Sequence, residues 1–134
     1  MTTSEITYIG DLRTVSTHVR SKNTLTTDAP LDNQGKGEAF SPTDLLATSL
    51  GCCMLTIMGI AARARDISID GTKVSVTKIM SEKPPRKVAE IHLRITLPHK
   101  GYTEEVRKLL YEAAIHCPVA RSLDPDIIQK ITLD

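Results

Sequence analysis

Three cysteines hold most of the reactive chemistry this chain can offer, and two of them, Cys52 and Cys53, are adjacent in the stretch SLGCCMLTIMG, residues 49–59. A free cysteine can serve as a nucleophile, as half of a redox pair, or as a small core hydrophobe. Neighbours on a helix point about 100° apart, so the two cannot face the same partner. The third, Cys117, precedes Pro118 in CPVARSLDP. A helix starting at Pro118 would put the Cys117 sulfur at its cap, where backbone N–H groups and the positive end of the helix dipole favour a thiolate. His116 adjoins Cys117, yet the same angular offset makes a Cys–His catalytic pair a poor reading. The four histidines are scattered at 18, 92, 99 and 116, and the chain has no HExxH, CxxC, GxSxG or glycine-rich phosphate loop. No metal site is expected. An odd cysteine count with two adjacent argues against a disulfide framework and leaves redox, nucleophilic or core roles.

The elements that must position these thiols are legible in the hydrophobic pattern. From Leu45 to Ala62 no residue is charged, a length that approaches a membrane span. Thr48, Ser49, Gly51, Thr56 and Gly59 dilute its hydrophobicity and it stands alone, so the expected role is a central helix covered on most faces by a sheet, other helices or a second subunit. Ser41-Pro42-Thr43-Asp44 starts that helix: Ser41 as N-cap, Pro42 in the first position, and Asp44 closing a capping box. The helix is assigned to 41–65. Before it, β-branched residues and threonines predict a β-meander over 1–28 with a turn at Arg20–Lys22, followed by a Pro/Gly/Asn loop over 29–40. After it, a hairpin is expected over 69–97 across the basic KPPRK turn, a solvated loop tip. In its second strand Ile91, Leu93, Ile95 and Leu97 alternate with Glu90, His92, Arg94 and Thr96. A second helix over 103–117 carries Val106, Leu109, Leu110, Ala113 and Cys117 on one stripe, which points Cys117 at the core. A short helix over 118–123 and a last strand over 127–133 complete a single α+β domain.

Composition bounds the function. A chain of 134 residues is long enough for one hydrophobic core. With net charge +1, one Phe, three Tyr and no Trp, it has neither a basic surface nor an aromatic platform for nucleic acid. MTTSEITYIGD lacks the features of a secretory signal, so a cytoplasmic location is expected, with no membrane partner.

A long helix entered through SPTDLLATSLGCC, followed some sixty residues on by HCPVARSL, resembles the OsmC/Ohr family of osmotically inducible and organic hydroperoxide resistance proteins. The resemblance covers nearly the whole chain in element order. It implies an intertwined α+β homodimer with antiparallel sheets packed around two long central helices, and a thiol site near each subunit boundary. In the family pattern a small residue precedes the reactive cysteine, which places that cysteine at Cys53, the small residue at Cys52, and the second family cysteine at Cys117. A thiol in an apolar helix is disfavoured as thiolate by desolvation and needs a cation. The pattern supplies an arginine from the meander, best matched by Arg13 in GDLRTVS, with Arg20 second. A solvated strand residue is an even alternative for Arg13. The family often orients this arginine with a glutamate ten residues before the cysteine, where this chain has Thr43. Asp44 is occupied by capping, and Glu38 is another carboxylate within reach in sequence.

The activity the resemblance implies is a thiol peroxidase acting on organic hydroperoxides, with Cys53, Cys117 and Arg13 as site residues, no bound cofactor, and a small dithiol or lipoyl-type reductant. Leu46, Leu50, Met54 and Ile57 are candidates for an apolar approach that favours alkyl or acyl hydroperoxides. A different class, a non-catalytic dimeric protein binding an apolar ligand in the same groove, is favoured by the missing carboxylate at Thr43. A cysteine hydrolase lacks a placed histidine base.

Overall fold

The computed structural model describes all residues, 1–134, in two compact units, Met1–Leu45 and Leu46–Asp134. The first holds the expected meander: β1 (Ser4–Gly10), β2 (Arg13–His18) and β3 (Thr24–Asp28) form an antiparallel sheet in that order. The β1–β2 turn passes through Gly10, Asp11 and Leu12 at φ 90°, 54° and 62°. A bulky leucine in the left-handed region is a strained choice. The β2–β3 turn, closed by His18 N to Asn23 O at 2.8 Å, sets the register that pairs Arg13 with Asp28. A single 3₁₀ turn at Leu31–Asn33 leads to a bridge between Thr27 and Phe40. The only buried residues of this unit are polar: Thr27, Asp28 and Ser41. Ile6, Tyr8, Ile9, Leu12 and Leu25 are exposed. Three strands without a covered hydrophobic face are marginal on their own.

The second unit carries the hydrophobic core. Most of the long helix α1 (Pro42–Arg63) belongs to it; the first turn of α1, which ends the first unit, starts as the capping box requires: Asp44 N donates to Ser41 Oγ and Ser41 N to Asp44 Oδ2, both at 3.0 Å. On length and composition the helix could cross a membrane, but Ala47, Leu50, Gly51, Met54, Met58 and Ala62 make one buried stripe. Gly51 is where the helix meets the sheet. A Cβ there would lie 3.0 Å from Val76 Cγ2 and 3.3 Å from Val74 Cγ1, so any larger residue requires those valine methyls to give way. The rest of α1 is less covered, with Ile60 at 60% exposure.

Strands β4 (Lys73–Met80) and β5 (Val88–Thr96) form the expected hairpin, and Ile91, Leu93 and Ile95 are buried. One expectation is corrected here. The last strand, β6 (Ile128–Leu133), pairs with β5 in parallel, so this sheet is mixed rather than antiparallel. The cause is the connection: α2 (Glu104–Ile115) and α3 (Pro118–Ser122) lie between β5 and β6, and a helical crossover returns the chain in the same direction. On α2, capped by Thr103, the fully buried positions are Leu110 and Ala114; Ala113, expected on that stripe, is only partly buried.

Candidate functional site

Cys117 is fully buried and caps α3 as expected, with Ala120 N donating to its Sγ at 3.5 Å. The consequence for its acidity is the reverse of the expected one. Burial pushes the Cys117 thiol up; the N–H groups of Ala120 and Val119 oppose this and Cys53 reinforces it. A five-residue helix with sulfur at its cap offers too few dipoles to offset desolvation. Cys53 is half-buried on α1 and packs against the core that contains Cys117. No cysteine is paired in a disulfide.

Cys52 behaves as its offset on the helix requires and is exposed. His116 is also exposed, its Nδ1 against the carbonyl of Glu112, and takes no part in the thiol pair. Of the residues expected to form an apolar approach, Leu50 and Met54 are fully buried in the core and are removed from that role, whereas Leu46 is exposed and Ile57 partly buried. Helix periodicity could not separate them, because α1 is apolar nearly all round.

In the first unit the candidate cation is Arg13, 29% exposed at the start of β2. Its Nη2 lies 3.2 Å from Asp28 Oδ2 and 3.2 Å from Glu38 Oε2. Both carboxylates hold the same nitrogen, which leaves Nε and Nη1, with three N–H donors, unengaged. Arg20 is exposed in the β2–β3 turn. The arginine is therefore oriented without a carboxylate at Thr43: Glu38, considered from the sequence, supplies one, and Asp28, which the sequence reading missed, supplies the other. The signal for Asp28 was its place at the end of β3, fifteen residues from Arg13 and opposite it once the meander is registered. The Asp28 carboxyl is held below the usual range chiefly by the Glu38 backbone N–H, against burial, and further by the Arg13 guanidinium. The Arg13 guanidinium is itself pushed up by its hydrogen bond to Glu38 and the charge of Asp28. No group of three or more His, Cys, Asp or Glu side chains is arranged to hold a metal ion.

A profile of the OsmC-like protein family matches residues 35–132. No curated protein sequence matches the chain. Among solved structures, a candidate osmotic stress induced and detoxification response protein of Psychrobacter arcticus 273-4 is 55% identical, covers 100% of this chain and 96% of its own, and superposes with a TM-score of 0.96. An organic hydroperoxide resistance protein of Legionella pneumophila shares the fold at 17% identity, with 100% and 98% of the two chains covered and a TM-score of 0.77. A candidate organic hydroperoxide resistance protein of Vibrio cholerae, with captopril bound in one of its active sites, is likewise 17% identical over 99% and 92% at a TM-score of 0.75. With well over half its length matched by the profile and more than half its residues shared with the Psychrobacter protein, this chain belongs to the OsmC-like protein family.

Proposed function

We propose that this chain is a cytoplasmic thiol peroxidase that reduces organic hydroperoxides, with Cys53 as nucleophile, Cys117 as resolving thiol and Arg13 as the stabilising cation. The observation that carries the reading is a half-buried thiol on α1 packed against the core that holds the fully buried thiol capping α3. The hydroperoxide resistance proteins among its structural neighbours support the substrate class. The Cys53 thiolate attacks the distal peroxide oxygen, the O–O bond breaks, and the alkoxide takes a proton and leaves as alcohol. Cys53 becomes a sulfenic acid. Cys117 sulfur then displaces its hydroxyl as water, giving a disulfide, and an external dithiol returns two electrons and two protons. Captopril, a small thiol, in the Vibrio cholerae active site supports access by such a reductant. The N–H donors of Arg13 that its carboxylates leave unengaged suit a thiolate and the developing alkoxide.

Treating the protein with one equivalent of cumene hydroperoxide is the test. One thiol pair is expected to be consumed rapidly and regained with dithiothreitol. No thiol consumption would favour the dimeric apolar-ligand-binding reading.

The second step has its own pH signature. Because burial pushes the Cys117 thiol up, its thiolate is scarce at neutral pH, and closure of the disulfide is expected to accelerate close to tenfold per pH unit from about pH 7 to about pH 9. Stopped-flow measurement of closure after a single peroxide pulse checks this; a flat profile would mean that Cys117 reacts by another route.

A homodimer is part of the proposal. The exposed apolar side chains of β1–β3 and the uncovered side of α1 need a cover, and a second copy burying well over roughly 2,000 Å² provides it. Sedimentation at micromolar concentration is expected to give about twice the 14.7 kDa chain mass. A stable monomer would count against it.

A further inference from the structure

Asp28 is completely buried, and its Oδ1 makes no direct hydrogen bond, although the backbone N–H of Lys36 also favours the carboxylate. Buried polar atoms are nearly always paired, so an orphan on a charged group calls for an explanation beyond packing. Its other oxygen is heavily used. Oδ2 accepts from Arg13 Nη2 at 3.2 Å and from the Glu38 backbone N at 3.0 Å, while the Asp28 backbone N donates to Phe40 O at 3.0 Å. A single carboxylate thus ties the arginine on β2 to the segment that leads into α1. The Glu38 side chain, 59% exposed, reaches Arg13 at 3.2 Å, and its backbone N–H is held by Asp28. Solvent competes more with the exposed Glu38 carboxylate than with the buried one of Asp28.

We propose that Asp28 is the positioning residue of the site: it fixes the Arg13 guanidinium by its Nη2 edge and, through Glu38 N, sets the second carboxylate beside it, in place of the family's helix-start carboxylate at Thr43. The inference rests on the peroxidase reading for what Arg13 does, and not for how Arg13 is held. Asp28 touches no reacting atom; its effect passes through Arg13.

The test compares Asp28→Asn, which keeps the shape and one acceptor but removes the charge, with Glu38→Gln, each read in two ways. By nitrogen-resolved NMR, the Arg13 Nη protons are expected to be individually resolved in the wild type, to stay so in Glu38→Gln, and to collapse by free rotation in Asp28→Asn. By kinetics, Asp28→Asn is expected to lower kcat/KM for cumene hydroperoxide by about 10- to 100-fold, yet to cause no further loss when added to Arg13→Gln. A merely structural aspartate would lower both backgrounds alike. Equal losses in the two backgrounds, or resolved Arg13 protons in Asp28→Asn, overturn the inference. Should Asp28→Asn not fold, Glu38→Gln still decides, because collapse of the Arg13 signals in that variant would make Glu38 the anchor. A wild type that consumes no peroxide but shows the resolved, Asp28-dependent signals would overturn the peroxidase reading and leave the anchoring in place.

Discussion

Cys53→Ser is expected to bring consumption of cumene hydroperoxide down to the uncatalysed background. A serine hydroxyl is ionised far less readily than a thiol, and oxygen is a poor nucleophile toward peroxide, so no neighbouring charge restores the reaction. Cys117→Ser has a different expected outcome. The first oxidation proceeds, one equivalent is consumed per site, and turnover stops. Deprived of its partner, the sulfenic acid persists long enough to be captured by dimedone, or proceeds to sulfinic acid under excess peroxide. Cys52→Ala is expected to leave rate and stoichiometry nearly unchanged, since its side chain is exposed and turned away from the pair. Mass spectrometry after one equivalent of peroxide reads all three variants at once. Oxygen on Cys52, or on none of the three, would sink the assignment.

Arg13→Gln is the second large effect. A donor aimed at developing charge in a water-poor site contributes about 10²- to 10³-fold to rate, and glutamine supplies fewer donors and no charge. A fall of that size in kcat/KM is expected, together with slower alkylation of Cys53 by iodoacetamide at neutral pH. Arg20→Gln separates the two arginines. It sits exposed in a turn, and substitutions at such positions are usually within about 0.5 kcal/mol of neutral. Comparable losses in the two variants would mean that the effect is bulk charge and not a placed guanidinium.

What depends on near neighbours can be read directly from the order of the residues. The capping box Ser41–Asp44, the proline start of α3 with Cys117 at its cap, the alternation of β5 and an N-terminal meander turning at Arg20–Lys22 are written within a few residues of each other, and the structure contains them all; the further turn at Gly10–Leu12 that divides β1 from β2 was not read from the sequence. The paired motifs around Cys53 and Cys117 were enough to suggest the family. Other features required distant segments to meet. The parallel register of β6 follows from the crossover through α2 and α3, and no local pattern in IQKITL specifies direction. Which apolar residues of α1 face the sheet depends on where Gly51 lets the backbone touch Val74 and Val76. The acidity of Cys117 was misjudged from local geometry alone, because the capping N–H groups are local whereas the burial that outweighs them is tertiary. Asp28 stayed hidden for the same reason: an aspartate at a strand end reads as a turn residue until strand pairing sets it opposite Arg13 and the returning loop seals it from water. Local interactions are encoded where they act; charge, direction and burial belong to whichever segments the fold brings together.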